Sequence, residues 1–224
     1  MKKLNILIIE DETIISMHIK NSIVRMGHNI VDIVKNSTDA LKLAENQPID
    51  IALVDINING SIDGIQTANI LNKLYNMPIV FITAYKDMGT LERASVVEFV
   101  GYIIKPFRDD ELEAIVNLAI IKYELNKDEK ILKIDDNYSY NLNENKIYKN
   151  DIDISLTQKE NKLLQLIINA KGSIITYSTI DDIIWYDSSV SDVSRRQVFY
   201  RLKHKLPDFP FIVEKNVGYC IKLY

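Results

Sequence analysis

Acidic residues, a threonine and a lysine stand at the ends of short apolar runs in the first half of this 224-residue chain. Glu10 and Asp11 follow one run, Asp55 ends another, and Thr83 and Lys105 close two more. Carboxylates held close together repel one another unless a cation neutralises them, and oxygen ligands without His or Cys suit Mg²⁺. A neighbouring ammonium group and hydroxyl provide the charge and the hydrogen bond that a transferring phosphoryl group requires. Brought together, these side chains would form a magnesium-dependent phosphoryl-transfer site.

The elements that would position these side chains alternate between apolar runs and amphipathic segments. The predicted strands cover residues 4–9, 30–34, 51–54, 78–83 and 101–104, and the predicted helices cover 13–26, 38–45, 63–75, 91–94 and 109–123. The run from Ile51 to Val54 is apolar at every position, which is typical of a strand buried on both faces. Five alternations of strand and helix predict a doubly wound parallel sheet. Ligands bind outside the carboxyl ends of the strands in such a sheet, where the residues above would meet.

Residues 1–122 resemble a CheY-like receiver domain of a two-component response regulator. The matching motifs are Glu10-Asp11, Asp55, Thr83-Ala84 and Lys105-Pro106-Phe107, in the order and spacing of that family. The resemblance implies a flavodoxin-like fold in which Asp55 accepts a phosphoryl group from a phosphohistidine of a sensor histidine kinase. It also implies a domain that catalyses its own dephosphorylation without being a metabolic enzyme.

The same resemblance implies a metal site around Asp55. Asp11, Asp55 and the backbone carbonyl of Asn57 would hold Mg²⁺, and Glu10 would act nearby through water.

The resemblance also implies the residues of a switch. Lys105 would pair with the phosphoryl oxygens, and Thr83 would hydrogen-bond one of them. Tyr102 matches the aromatic residue that turns inward when the threonine engages the phosphate, although a partly buried strand residue is an equal alternative. The family further implies a cis peptide bond before Pro106, a position where cis bonds are less costly than elsewhere.

The segment after Asp55 departs from the family pattern. Asp55-Ile56-Asn57-Ile58-Asn59-Gly60-Ser61-Ile62-Asp63-Gly64 lacks the usual proline and is one residue longer. Asn59 and Gly60 can supply the positive φ that a reshaped turn needs. We expect that Asp55 can still be phosphorylated. The changed loop would instead alter the lifetime of the phosphoryl group and the fit to the kinase.

A haloacid-dehalogenase-like phosphatase is an alternative interpretation of the same residues. Those enzymes also combine an aspartate nucleophile with Thr or Ser, Lys and Mg²⁺. They place a second aspartate two residues after the nucleophile as general acid, and this chain has Asn57 there. An amide cannot donate and accept a catalytic proton as a carboxyl group does, which disfavours the phosphatase.

The second half of the chain follows a different pattern. A polar, charged segment at 123–130 predicts a short linker that continues the last helix. Short runs at 131–134, 138–142, 146–148 and 152–154 predict a small antiparallel sheet. Thr157 and Glu160 have the spacing of a capping box that opens a helix. Further helices at 177–185 and 191–206 and a hairpin of 211–213 with 219–221 complete a winged helix-turn-helix.

Residues 131–224 resemble the winged-helix effector domain of OmpR/PhoB-type regulators. The motifs that carry this resemblance are Leu156-Thr157-Gln158-Lys159-Glu160, Leu163-Leu164, Gly172, Trp185, Arg201-Leu202-Lys203-His204-Lys205-Leu206 and Val217-Gly218-Tyr219. We expect Trp185 in the core. Asn216 stands where the family has a wing glycine, and Asn tolerates a left-handed turn next best. The predicted organisation is an α/β receiver at 1–122, a linker at 123–130 and an α+β winged helix at 131–224.

The third helix of this second domain is expected to enter the major groove of DNA. If Val198, Phe199, Leu202 and Leu206 face the core, helical spacing turns the polar positions outward. The candidate DNA contacts are Arg195, Arg196, Gln197, Tyr200, Arg201, Lys203, His204 and, in the wing, Lys215. Arg and Gln can read base edges, whereas Lys and Tyr more often contact phosphates. Arg195 and Lys215 are expected at phosphates.

Charge is distributed unevenly along the chain. Residues 1–122 carry 12 Lys and Arg against 16 Asp and Glu, whereas residues 123–224 carry 15 against 15. Residues 193–224 hold seven bases and two acids, a local basic surface that favours nucleic acid. The neutrality of the second half leaves two alternatives open: a winged helix that docks a protein such as RNA polymerase or a kinase, or a regulator that works independently of phosphorylation.

We expect a cytoplasmic protein. No apolar run approaches the roughly 18 residues of a membrane span, and the N-terminal segment becomes acidic at Glu10, too early for a signal peptide. Cys220 is the single cysteine and cannot form an internal disulfide. The family resemblance implies that phosphorylated receivers pair through the fourth helix, fifth strand and fifth helix, and that the paired winged helices bind repeated DNA half-sites.

Overall fold

The structure is a computed structural model that describes residues 3–84, 88–126, 131–142 and 144–222. It divides into two compact units, Met1–Asn126 and Lys127–Tyr224. The first four residues of the predicted linker, 123–126, continue the last helix of the first unit. Residues 127–130 of that linker lie outside the described residues.

The first unit is a five-stranded parallel sheet. Its strands are β1 (Asn5–Ile9), β2 (Asn29–Val34), β3 (Ile51–Asp55), β4 (Ile79–Thr83) and β5 (Gly101–Ile104). They lie in the order β2-β1-β3-β4-β5, so the chain reverses direction across the sheet after β2. The predicted doubly wound sheet is confirmed, and every residue of β3 and β4 is buried, as their uninterrupted apolar runs require.

Four helices connect these strands and a fifth follows β5: α1 (Thr13–Arg25), α2 (Ser37–Asn46), α3 (Gly64–Tyr75), α4 (Met88–Ala94) and α5 (Asp109–Asn126). Helix α1 contacts α5 and helix α2 contacts α3, so the helices pair over the sheet. Ile19 and Ile23 of α1 pack with Leu53 of β3 and Leu112 of α5 in one core cluster. Burying side chains of this size contributes about 1.5 to 3 kcal/mol each.

Helix α3 begins with a capping box. The Asp63 carboxylate accepts a hydrogen bond from the backbone N–H of Gln66 at 2.9 Å, and the Gln66 amide oxygen accepts one from the Asp63 N–H at 3.1 Å. Asp63 is therefore the N-cap and not the first helical residue. The helix ends at Asn76, whose φ of 49° satisfies the left-handed C-terminal position.

The second unit begins with an antiparallel sheet of β6 (Ile131–Lys133), β7 (Tyr138–Asn141), β8 (Lys146–Lys149) and β9 (Ile152–Asp153). Helices α6 (Gln158–Asn169), α7 (Tyr177–Ile184) and α8 (Asp192–Lys205) follow. The hairpin of β11 (Phe211–Glu214) and β12 (Gly218–Ile221) closes the unit, which has the predicted winged-helix architecture. Trp185 is buried, as expected.

One strand of this unit has no counterpart in the sequence-based expectation. Ile175–Thr176 forms β10, which pairs with β12 and places the start of α7 against the hairpin. A strand of two residues is too short to produce a recognisable alternation. Gly218 makes this contact possible, because a Cβ at this position would lie 1.9 Å from the carbonyl oxygen of Ile175. Asn216 in the wing turn has a φ of 63°, consistent with its role in place of glycine.

None of the helices within the described ranges is long and apolar enough to span a bilayer.

Candidate functional site

The carboxyl edge of the parallel sheet brings the expected polar residues together. Asp55 is the last residue of β3 and Thr83 the last of β4, and they are 4% and 1% exposed. Glu10 and Asp11 directly follow β1, and Lys105 directly follows β5. Because all five strands run parallel, their carboxyl ends lie at one edge of the sheet and bring these positions together, as the strand-end pattern predicted.

Lys105 pairs with three carboxylates at this edge. Its Nζ donates a hydrogen bond to Asp55 Oδ2 at 2.8 Å and another to Glu12 Oε1 at 3.0 Å. The Lys105 side chain is 9% exposed. Burial alone would lower the pKa of Lys105, but the surrounding carboxylates outweigh burial and raise the pKa well above its ordinary value. The ammonium group therefore stays charged and offsets part of the acidic cluster.

Glu10 is completely buried beneath this lysine. Its Oε1 accepts a hydrogen bond from the backbone N–H of Glu12 at 3.1 Å. Its Oε2 lies 2.8 Å from Lys105 Nζ, an ion pair by distance. Lys105 is therefore the partner of this buried oxygen. Burial raises the pKa of Glu10 by more than Lys105 lowers it.

The acidic residues suit a hard divalent cation. One carboxylate oxygen from each of Glu10, Asp11 and Asp55 lies within 4.8 Å of the other two. The donors are all carboxylate oxygens, and the side chains of Glu10 and Asp55 are buried. These are the properties that Mg²⁺ requires. Asn57 is exposed beside them, with its backbone N–H donating to Asp55 Oδ1 at 3.0 Å.

Gly64 lets the chain return directly against the phosphoacceptor candidate. A Cβ at Gly64 would lie 1.9 Å from the carbonyl oxygen of Asp55, so no other residue fits without a shift of the backbone. The segment 56–63 between these two residues passes over the acidic edge, and we call it the β3–α3 loop. Within it, Asn59 Nδ2 donates a hydrogen bond to Asp11 Oδ2 at 2.8 Å.

Tyr102 and the cis peptide complete this edge. The peptide bond between Lys105 and Pro106 is cis, as the family resemblance implied. Tyr102 lies on β5, paired with Phe81, and is 43% exposed, whereas Thr83 is buried. A groove bordered by Tyr102, Pro106, Ala114 and Leu118 runs beside it along α5.

The exposed face of α8 is the second candidate site. The exposed residues among the candidates are Arg196, Gln197, Tyr200, Arg201, Lys203, His204 and, in the wing, Lys215. The opposite face of α8 is buried and carries Val198, Phe199 and Leu202 together with Arg195. A shallow pocket lined by Val193, Arg196, Gln197, Tyr200 and Arg201 opens on the exposed side. This face presents both guanidinium and amide groups, the two groups that read base edges bidentately.

Arg195 requires a correction, because it does not lie on that face. It is 5% exposed, and its guanidinium forms ion pairs with Asp181 of α7 and Asp192 of α8. The guanidinium also lies 4.4 Å from the centroid of the Tyr177 ring. A side chain held by two carboxylates and an aromatic ring is not available to a DNA phosphate. The expected phosphate contact at Arg195 is therefore wrong, and the residue packs the helices of the winged unit together.

Glu160 ties the exposed face of α8 to α6. It is completely buried, and its carboxylate accepts hydrogen bonds from Lys205 Nζ at 2.8 Å and from Arg201 Nε at 3.3 Å. It also accepts one from the backbone N–H of Thr157 at 2.8 Å, the predicted capping interaction. Burial alone would raise the pKa of Glu160, but the hydrogen bonds from Lys205 and Thr157 lower it to about 2. Glu160 thus positions the candidate base reader Arg201.

The sequence did not identify Glu12 or Asn59 as site residues. It identified Glu160 as part of a capping box but not as the partner of Arg201 and Lys205. Glu12 stood in the acidic run after β1, but only the fold shows that Lys105 reaches it. Asn59 was considered for its turn conformation and not for its side chain. The partners of Glu160 lie 41 and 45 residues away, beyond any local pattern.

Comparisons with known proteins agree with this geometry. A model of the response regulator receiver domain family matches residues 6–117. The chain is 29% identical over 229 residues to the transcriptional activator protein IrlR of Burkholderia pseudomallei, covering 98% of this chain and 96% of that protein. It is 28% identical over 188 residues to the heme response regulator HssR of Staphylococcus aureus, covering 82% and 83% of the two chains.

Among solved structures, the signal receiver domain of a modulated diguanylate cyclase from Desulfovibrio desulfuricans is similar to the first unit. It has a TM-score of 0.53 and 33% sequence identity, and the match covers 56% of this chain and 100% of that one. The matched share of the chain is about as large as the parallel-sheet unit, Met1–Asn126.

Proposed function

The chain belongs to the response regulator receiver family, and from that premise we propose that it is a transcription regulator of a two-component system whose DNA binding is switched by phosphorylation of Asp55. The observation that carries this proposal is the hydrogen bond between Lys105 and the buried carboxylate of Asp55, beside two further acidic residues. The relative that matches 98% of the chain is named a transcriptional activator, and the one that matches 82% of it is named a response regulator.

Asp55 is the proposed nucleophile. One of its carboxylate oxygens attacks the phosphorus of a phosphohistidine on a sensor histidine kinase. The P–N bond breaks and an acyl phosphate forms on Asp55. The histidine imidazole is the leaving group and takes up a proton. Lys105, which already lies within 2.8 Å of Asp55, pairs with the phosphoryl oxygens, and Thr83 at the neighbouring strand end hydrogen-bonds one of them.

The acidic residues have the complementary role. Asp11, Asp55 and the backbone carbonyl of Asn57 would hold Mg²⁺, with Glu10 acting through water, and the cation would supply positive charge to the transferring phosphoryl group. Glu10 and Asp11 carry the negative charge that makes this position attractive to a cation. The same cluster is proposed to support slow loss of the phosphoryl group to water, without a metabolic reaction.

Tyr102 is the proposed switch residue. Its ring is exposed in the arrangement in which Lys105 is bonded directly to Asp55. When Thr83 moves toward a phosphoryl group, it leaves space on its inner side, and the ring of Tyr102 turns into that space. Phosphorylation then acts by shifting the population between two arrangements of the face formed by α4, β5 and α5.

The switched face is proposed to pair two copies of the chain. Leu118, Ile121 and Leu125 are more than half exposed and recur at helical spacing along α5. An apolar row of this kind on a protein surface marks an interaction site. A second copy would cover it, and pairing would present two winged helices to repeated DNA half-sites.

Helix α8 is the proposed recognition helix. Arg196, Gln197 and Arg201 would contact base edges, whereas Tyr200, Lys203, His204 and Lys215 would contact phosphates. The receiver would extend over 1–122, the linker over 123–130 and the DNA-binding domain over 131–224. The protein would act in the cytoplasm, where both DNA and the catalytic parts of histidine kinases are found, with RNA polymerase as a further partner.

Selection of genomic fragments tests this function. Purified full-length protein is incubated with sheared genomic DNA in Mg²⁺, with and without beryllofluoride as a phosphoryl mimic, alongside the Asp55→Ala variant. We expect enrichment of a repeated half-site that strengthens with the mimic in the parent protein only. Equal enrichment in all samples would overturn the phosphorylation switch, and absence of enrichment would overturn DNA binding in favour of a protein-docking module.

A further inference from the structure

The β3–α3 loop touches the acidic edge through one side chain. The amide of Asn59 donates a hydrogen bond of 2.8 Å to Asp11 Oδ2, linking positions that are 48 residues apart. Asn59 itself is exposed, so burial does not force this contact. The hydrogen bond joins the loop that follows the phosphoacceptor to one of the proposed ligands of the cation.

The backbone of the loop is held on its other side by the beginning of α2. Asn59 forms a parallel β-bridge with Asn36, the N-cap of α2. The next residue, Gly60, has a φ of 143°, and a Cβ there would lie 2.4 Å from Ser37 Oγ and 3.3 Å from the Ser37 nitrogen. Only glycine allows this approach. The loop is thus fixed between α2 and the acidic edge, which directs the Asn59 amide at Asp11.

This arrangement leaves one oxygen of Asp11 for a cation. A carboxylate has two oxygens, and the hydrogen bond from Asn59 occupies Oδ2. A donor on one oxygen fixes the rotation of the carboxylate and so directs the other oxygen. In metal sites, hydrogen bonds of this kind orient the ligating carboxylates, and their removal typically weakens metal binding about 10- to 100-fold.

The cation itself is suggested by a separate observation. One carboxylate oxygen from each of Glu10, Asp11 and Asp55 lies within 4.8 Å of the other two, and Glu10 is completely buried. Lys105 neutralises only part of the negative charge at this edge, since its single ammonium group pairs with Glu10, Glu12 and Asp55, and Asp11 adds a fourth carboxylate beside Glu10 and Asp55. A cation bound at Asp11 would remove the remaining repulsion.

We propose that Asn59 is a positioning residue for the divalent cation: its amide holds Asp11 in the orientation that binds the cation, and the contact of Gly60 with Ser37 holds Asn59 in place. The inference rests on the proposed function, because it takes the acidic edge to be a cation site. It also gives a role to the lengthened loop, which lacks the usual proline of the family.

Calorimetric titration of the full-length protein with MgCl₂ tests this inference. Asn59→Ala is expected to weaken Mg²⁺ binding about tenfold relative to the parent protein. Ser61→Ala, which shortens another exposed polar side chain of the same loop, is expected to bind Mg²⁺ like the parent. Gly60→Ala keeps the Asn59 amide but displaces the loop from Ser37, and is expected to weaken binding as well.

Phosphorylation by acetyl phosphate provides a second measurement that a merely structural role would not reproduce. For Asn59→Ala we expect the half-saturating Mg²⁺ concentration to rise about tenfold, with the rate at saturating Mg²⁺ retained. Unfolding by urea in the absence of Mg²⁺ should match the parent, because Asn59 is exposed.

The possible outcomes separate the two proposals. If the parent protein and the Asp11→Asn variant both fail to bind Mg²⁺, the cation site of the proposed function is wrong. If the parent binds Mg²⁺ and Asn59→Ala binds it equally well, the positioning role of Asn59 is overturned. Tighter binding by Asn59→Ala would also overturn it, since the amide would then compete with the cation.

Discussion

Lys105 Nζ lies 2.8 Å from Asp55 Oδ2, although the two residues are 50 positions apart in the chain. The contact joins the ends of two strands that are separated by β4 in the sheet. It holds a positive charge at the oxygen to which a phosphoryl group would be transferred. The same charge limits the repulsion among the acidic residues around Asp55.

Removal of this charge should destabilise the receiver unit. We expect Lys105→Ala to lower the free energy of unfolding by about 3 kcal/mol in the absence of Mg²⁺, because it leaves buried carboxylates without their partner. Saturating Mg²⁺ should reduce this loss. Urea unfolding followed by circular dichroism measures it. Lys122→Ala removes an exposed ion pair with Glu98 and should cost at most about 1 kcal/mol. Equal losses in the two variants would contradict the role of Lys105.

Phosphoryl uptake should depend on a single carboxylate. We expect Asp55→Ala to abolish labelling by acetyl phosphate, measured by phosphate-affinity gel electrophoresis, while the fold is retained. The fold should survive because the substitution removes one of several carboxylates that repel one another. The exposed Asp32 offers a matched control, and Asp32→Ala should be labelled like the parent. Persistent labelling of the Asp55 variant would move the phosphoacceptor to another residue.

Two neighbouring arginines of α8 should behave differently. Arg196 is exposed, and Arg196→Ala is expected to weaken specific DNA binding by about 1 to 3 kcal/mol if the side chain reads a base. Arg195 is buried between Asp181 and Asp192, so Arg195→Ala should instead lower the stability of the winged unit. Affinity is measured by fluorescence anisotropy on the selected site. Unfolding of the winged unit is measured by the fluorescence of Trp185, the single tryptophan.

If Arg196→Ala bound the selected site like the parent, the residue would face solvent in the complex. If Arg195→Ala weakened DNA binding without a loss of stability, the burial of Arg195 would not describe the DNA-bound protein.

The stability of the winged unit should fall at acidic pH through Glu160. Hydrogen bonds lower the pKa of Glu160 to about 2 in the folded protein, whereas an unfolded chain gives about 4.3. A depressed folded pKa contributes stability above the unfolded value, on the order of 3 kcal/mol, and this contribution is lost as the pH falls from about 4.3 toward 2. Glu160→Gln should remove this part of the pH dependence.

Urea unfolding at a series of pH values, followed by Trp185 fluorescence, measures the effect. Glu214→Gln removes an exposed carboxyl group of the same unit and should leave the pH dependence unchanged. A parent protein that lost no stability between pH 5 and pH 3 would contradict the assignment to Glu160.

Much of the fold followed from local patterns. The uninterrupted apolar runs identified β3 and β4, and the Thr157 and Glu160 pair identified the start of α6. Helical spacing also contained information that the sequence-based reasoning did not use. Arg195 lies on the same helix face as Phe199, Leu202 and Leu206, at intervals of four, three and four residues. This spacing predicts that Arg195 is buried, as the structure shows. The charge of Arg195 led to the wrong expectation, because a buried charge requires partners, which here are Asp181 of α7 and Asp192 of α8.

The sequence by itself determined which residues reach the carboxyl edge of the sheet, because alternating apolar runs specify the strands and a parallel sheet gathers their ends. It also determined the winged helix, through caps, turns and helical spacing. Only the tertiary structure decided the partners within each site: Lys105 with Glu12, Asn59 with Asp11, and Arg201 with Glu160. The physical reason is that strand and helix patterns depend on neighbours a few residues apart. Hydrogen bonds and ion pairs between distant residues depend instead on distances of about 3 Å, which packing alone sets.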